Sequence, residues 1–76
     1  MPRLAPVHWR TLERVLLHAG FAFARQEGSH RAYSRPGTLR PAIVPAYEAV
    51  PVFVIRNVLK VAGLSRDEYF RLLGSV

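Results

Sequence analysis

Phe21-Ala22-Phe23-Ala24-Arg25-Gln26-Glu27-Gly28-Ser29-His30-Arg31-Ala32-Tyr33-Ser34-Arg35 is the stretch that decides the fold. From Phe21 to Gln26 it alternates, with Phe21, Phe23 and Arg25 on one side and Ala22, Ala24 and Gln26 on the other, as in a strand with one buried face. From His30 to Arg35 it alternates again, with Ser29, Arg31, Tyr33 and Arg35 set against His30, Ala32 and Ser34. Periodicity leaves open which of these sides faces a core. Between the two runs Glu27-Gly28 reverses the chain. Glutamate suits the first position of a type I′ turn poorly, because that position needs a positive φ. A slightly longer loop with Gly28 in the left-handed conformation is therefore expected. The outcome is an antiparallel hairpin whose second strand opens on a histidine.

Upstream, Trp9, Leu12, Val15, Leu16 and Ala19 form one apolar stripe and predict a helix over Val7 to Ala19. Arg10, Glu13, Arg14 and Leu17 lie off that stripe, and Gly20 is placed to cap the C-terminus in the left-handed conformation. Downstream, Pro36-Gly37 favours a type II turn. A third strand is expected over Leu39 to Val44, at a sheet edge or bulged because Pro41 cannot donate to a ladder, with Pro45 ending it. Ala46 to Val50 reads as an irregular connection. Pro51 suits the first position of a second helix running to Ala62, with Val52, Ile55, Val58, Leu59 and Ala62 as its apolar stripe and Gly63 as its cap. Ser65-Arg66-Asp67-Glu68 is a capping box for a last short helix, Arg66 to Leu73, that would dock Tyr69, Phe70 and Leu73 and end at Gly74. Helices on one face of a small antiparallel sheet make a two-layer α+β domain.

A chain of 76 residues, half of them hydrophobic, makes one domain, 1–76, with a thin stability margin. The net charge is +6, and Lys60 is the only lysine. Arginine presents a planar fork to phosphate oxygens, so nucleic acid is the first partner to consider. A GC-rich genome that spells basic residues as arginine accounts for the same composition. The absence of cysteine excludes disulfides and thiolate zinc sites and fits a reducing cytoplasm. The longest apolar run, Ala49 to Ile55, is far shorter than the roughly 20 residues of a membrane span. Arg3, Arg10 and Arg14 ahead of Val15-Leu16-Leu17, with Ala22-Phe23-Ala24 beyond, imitate a secretion signal. Glu13 and His18 interrupt that stretch, so a cytoplasmic protein is expected.

The chain resembles the HicA toxins, also called YcfA-like proteins, from about Leu12 to Leu73. The resemblance rests on Ala19-Gly20-Phe21, Arg25-Gln26-Glu27-Gly28-Ser29-His30, Tyr33, Val44-Pro45 and Val58-Leu59-Lys60-Val61-Ala62-Gly63-Leu64-Ser65. It implies a fold like the double-stranded RNA-binding domain and cleavage of messenger RNA, with His30 in the place of the catalytic histidine. It also implies a HicB-like antitoxin that covers the toxin's active face. Two departures stand out. Tyr47 occupies a place where many members carry a second histidine. Ala49 to Val54 is apolar where members are often polar and lysine-rich, which predicts fewer phosphate contacts and a more apolar surface.

The residues themselves support a metal-independent mechanism. RNA carries its own nucleophile, the 2′-hydroxyl, and a positioned imidazole can take that proton or protonate the leaving oxygen. Arg25 and Arg31, nearest in sequence, would stabilise the charge that builds on phosphorus, and the amides of Ser29 and His30 beyond Gly28 can face a phosphate. The other account of His30 is a structural histidine bonded to backbone at a strand start. Tyr33 alternates with His30 and belongs with the core. Tyr47 is either a base-stacking residue or a half-buried loop aromatic. Arg56 and Lys60, one turn apart, form a phosphate clamp or a merely solvated face. His8, near a helix start, and His18, near a helix end, are about 280° apart around a helix. Neither has a carboxylate or cysteine at ligand spacing, so neither a metal nor a cofactor is expected. A non-catalytic RNA-binding module shares these features. So does a domain that only binds protein, with Val50 to Val54 enlarging an antitoxin contact or driving a homodimer.

Overall fold

The computed structural model describes residues 3–75. The element order is α1 (Trp9–His18), β1 (Ala22–Glu27), β2 (His30–Ser34), β3 (Ala42–Pro45), α2 (Val52–Ala62) and α3 (Arg66–Leu73). The strands form one antiparallel sheet in the order β1-β2-β3. Both α1 and α2 pack against β3, and α3 packs against α1. This is the two-layer α+β arrangement expected, and it agrees with a fold like the double-stranded RNA-binding domain.

The core lies between sheet and helices. Tyr33, Ala42 and Val44 supply the sheet side, Leu12, Val15 and Leu16 come from α1, and Ile55, Val58, Leu59 and Ala62 come from α2. Burying each large aliphatic side chain is worth about 1.5–3 kcal/mol, and this face is where the apolar stripes of both helices meet. Arg35, just past β2, ties the helices together at their far ends. Its Nη1 donates to the Ala19 carbonyl at 2.8 Å and its Nη2 to the Ala62 carbonyl at 3.1 Å. One guanidinium thus meets the negative ends of α1 and α2.

Several boundaries differ from the sequence reading. Val7 is extended and bridges Val50, whose N–H donates to the Val7 carbonyl at 2.7 Å. The helix therefore starts at Trp9, with His8 as its N-cap accepting from the Arg10 N–H at 3.1 Å. At the other end the Phe21 N–H reaches the Leu16 carbonyl and the Gly20 N–H reaches Leu17, with Gly20 at φ +93°. That is the Schellman arrangement, and Phe21 is buried beside Leu16 by it rather than lying in β1. β3 is shorter than expected because pairing begins only after Pro41, and Pro45 is its last paired residue. Pro51 is the N-cap of α2, with an extended ψ of 153°, one position earlier than expected. The capping box of α3 forms as read, with Ser65 and Glu68 bonded reciprocally at 3.0 and 3.1 Å.

β1 departs most. It has no buried face: all six residues are exposed. It is an edge strand, and the helices gather over the other side of the sheet. It is also bulged, since Phe23 pairs with Tyr33 and Arg25 with Ala32, leaving Ala24 without a partner.

Candidate nucleic-acid interface

Residues directly opposite on antiparallel strands point to the same side. Tyr33 and Val44 point into the core, so Arg31, which pairs with Val44, is on the helix side. His30, Ala32 and Ile43 are on the open side. Ala24 is the extra residue that shifts β1 by one, so Phe23 stays with Tyr33 while Arg25 and Glu27 join His30. Without the bulge the alternation would keep Phe23 and Arg25 together.

The turn completes this arrangement. Glu27 pairs with His30, so the loop is the two residues Gly28-Ser29, not the longer loop expected around Glu27-Gly28. Gly28 has φ +59° and Ser29 has a negative φ, the pattern of a type II′ turn, for which a leading glycine is the natural choice. Gln26 Nε2 donates to the Gly28 carbonyl at 2.9 Å. The Ser29 carbonyl accepts from the Ala46 N–H at 2.6 Å. Both sides of the turn are thereby held, and His30 follows directly from a fixed backbone.

Arg25, Glu27, His30, Ala32 and Ile43 line one shallow hollow on the open face. Arg25 Nε donates to Glu27 Oε1 at 3.1 Å, with 61% and 78% of the two side chains exposed. A pair that open to water holds its geometry weakly, and an incoming phosphate can recruit the guanidinium. Ala32 is nearly inaccessible, flanked on the same face by its pairing partners Arg25 and Ile43. Glu27 is the residue sequence reading missed. Taken as turn-forming, it stands opposite His30, and only the length of the loop could have signalled this.

Arg31 is elsewhere. Its Nη2 donates to Glu13 Oε2 at 3.0 Å, its Nη1 to Gln26 Oε1 at 2.7 Å and its Nε to the Tyr33 hydroxyl at 2.9 Å. Its guanidinium carbon lies 4.3 Å from the centre of the Phe23 ring and 4.8 Å from that of Trp9. Burial, followed by the bond to Glu13, pushes the Tyr33 hydroxyl up to about 12. Arg31 therefore joins the hairpin to α1 on the face away from His30.

The remaining candidates are dispersed. Tyr47 is 45% exposed, just past Ala46; its N–H donates to the Pro45 carbonyl at 2.8 Å and its carbonyl accepts from Trp9 at 3.0 Å. Arg56 and Lys60 are exposed on α2. The apolar stretch Ala49 to Val54 adds less surface than expected: Val50 is fully buried and Val52 and Val54 are partly so, leaving Phe53 as the large exposed side chain. His18 is exposed in the last turn of α1. Among the described residues no group of three or more His, Cys, Asp or Glu could hold a metal ion. No helix among them is long and apolar enough to cross a membrane.

A small basic α+β domain with a histidine, an arginine and a carboxylate on the uncovered face of its sheet is the class of protein that fold and site define. A family profile described as the HicA toxin of bacterial toxin-antitoxin matches residues 9–64, most of the chain. The chain belongs to that family, whose members act as toxins paired with an antitoxin. No curated protein matches it.

Proposed function

We propose that this protein is an endoribonuclease toxin that cuts messenger RNA with His30 as its general acid or base, and that an antitoxin restrains it. The single observation that carries the reading is the grouping of His30, Arg25 and Glu27 on the open face of the sheet in a member of this family. Cleavage by the RNA's own 2′-oxygen needs a group that removes the 2′-proton and one that protonates the departing 5′-oxygen. His30 and the carboxylate opposite it are two such groups. The 2′-oxygen bonds to phosphorus, the bond from phosphorus to the 5′-oxygen breaks, and the products are a 2′,3′-cyclic phosphate and a 5′-hydroxyl. Arg25 neutralises the charge that grows on the phosphate, and the Ser29 amide at the tip of the turn faces it. The nucleophile comes with the substrate, so the step needs no metal. Arg31, engaged by Glu13, Gln26 and Tyr33, takes no part.

Tyr47 at the place of a second histidine favours a second reading, a non-catalytic RNA-binding module in which Tyr47 stacks on a base. The partner in either case is a HicB-like antitoxin in the cytoplasm, and exposed Phe53 is the feature that would extend that contact or join two copies.

The test is incubation of the native protein and a His30→Ala variant with single-stranded RNA in the presence of EDTA, followed by end analysis. Cleavage by the native protein alone, leaving cyclic phosphate and 5′-hydroxyl ends, is expected. Equal cleavage by the variant, or 5′-phosphate ends, overturns the mechanism. Binding without turnover by either protein selects the second reading.

A further inference from the structure

We propose that an RNA strand leaving His30 is held along a cationic groove between β3 and α2, by Arg40 and Lys60. The inference rests on the RNA-directed reading above and adds a binding site that reading does not contain.

The hollow at His30 does not end at its own rim. Ile43 lines both that hollow and a second depression, which Pro41, Arg40 and Asn57 also line. Arg40 in turn lines a third, with Thr38 and Lys60. Shared walls make the three one path that starts at the histidine, crosses the β3 edge and follows α2. Pro41 has no N–H, so β3 pairing starts only at Ala42, and Gly37 to Arg40 before it line the far depression.

Beyond Ile43 the charge along the path is of one sign. Neither depression beyond Ile43 is lined by an aspartate or glutamate. The side chains of Arg40 and Lys60 have no hydrogen-bond or ion-pair partner among the described residues. The contrast with the other arginines of the sheet region is informative. Arg31 and Arg35 are occupied in joining elements, and Arg25 is paired with Glu27. The cations left unpartnered over an apolar floor of Ile43, Pro41 and Val61 are those a phosphodiester would meet after crossing that floor. Such a floor lets bases lie flat while the backbone meets the charges, the pattern of single-strand binding without base readout.

The reach can be bounded. His30 pairs with Pro45. The five residues from Pro45 back to Arg40 span at most about 17 Å. At about 3.4 Å per nucleotide, the rise of a stacked strand, about five nucleotides at most cover that distance. A dinucleotide has a single phosphodiester, and with that at His30 none is left for Arg40 or Lys60, whereas a dodecanucleotide is long enough to meet both.

The experiment measures binding of a labelled single-stranded dodecanucleotide across a range of salt concentrations, with His30→Ala in every protein so that RNA stays intact. Arg40→Gln and Lys60→Gln are each expected to reduce the slope of log K against log salt by about 0.7, one phosphate contact on a single strand. Arg14→Gln, on the exposed side of α1, removes the same charge and is expected to leave the slope unchanged. With His30 intact, the otherwise native protein is expected to cleave a dinucleotide, which tests the nuclease reading apart from the groove. Unchanged slopes in both groove variants, or an equal loss in Arg14→Gln, overturn the groove. If the dinucleotide is cut while the slopes do not move, the groove fails and the nuclease reading stands. If the slopes move but nothing is cut, the nuclease reading fails and the groove stands.

Discussion

The Tyr33 hydroxyl donates to Glu13 Oε2 at 2.5 Å, joining the buried middle of the sheet to the first helix through a partly buried bond. Burial, reinforced by this bond, raises the Tyr33 pKa from the ordinary 10 to about 12. The folded protein then keeps a proton that the unfolded chain releases between those values. The associated stability is complete below pH 10 and is lost as pH rises through 12. Urea midpoints measured from pH 8 upward are expected to fall over that window. Tyr33→Phe is expected to lower the neutral-pH stability by about 1.5–3 kcal/mol, the worth of a hydrogen bond to a charged group. It is also expected to flatten the alkaline decline, and an equally steep decline in the variant would refute the assignment.

Arg25 and Arg31 are expected to separate cleanly on substitution. Arg25 is open to solvent and paired only with Glu27, so Arg25→Gln should change stability by less than about 0.5 kcal/mol. On the proposed mechanism it should slow RNA cleavage by roughly tenfold or more. Arg31→Gln strands a Glu13 carboxylate that is about four-fifths buried. Its cost should be about 2 kcal/mol, between the values for exposed and fully buried pairs. Thermal unfolding and cleavage rates on both variants check this, and a stability loss in Arg25→Gln as large as that in Arg31→Gln would contradict it.

Arg35→Ala leaves the Ala19 and Ala62 carbonyls without the donor they share and removes a cation from two helix ends. A loss of about 3 kcal/mol is expected, from two charge-assisted bonds and the helix dipoles. Arg35→Lys should recover only part of it, because an ammonium on a single stem lacks the fork that spans both carbonyls. Calorimetric melting of the two variants is the measurement, and full recovery by lysine would mean that charge alone matters.

Tyr69 is buried and its hydroxyl has no hydrogen-bond partner among the described residues, and burial raises its pKa. Removing an unpaired buried hydroxyl relieves a desolvation cost of about 1 kcal/mol while the ring keeps its contacts. Tyr69→Phe is therefore expected to match or exceed the parent in denaturant midpoint. A clear loss of stability would show that the hydroxyl is partnered.

Local chemistry in the sequence determined the elements and their order. The capping box at Ser65 and Glu68, the glycines after α1 and α2, and the apolar stripes of those helices act through neighbours three or four residues away, so a single chain carries their signal. The positive φ at Gly28 and the alternation that sets Tyr33 against His30 were legible in the same way. Which side of the hairpin faced the core was not, because a period of two defines two faces without naming either. That choice belongs to the helices, which cover the side of Tyr33 and Val44 and leave His30 open. Nor was the bulge at Ala24 legible, since an extra residue is a property of pairing between strands, and Phe21 to Gln26 reads as unbroken alternation. The bulge and the two-residue turn together bring Arg25 and Glu27 to His30, while Arg31, equally near in sequence, is held by Glu13 on the opposite face. The residues of the site were thus present in the sequence, but their grouping was decided by strand register and helix packing, which act between segments far apart along the chain.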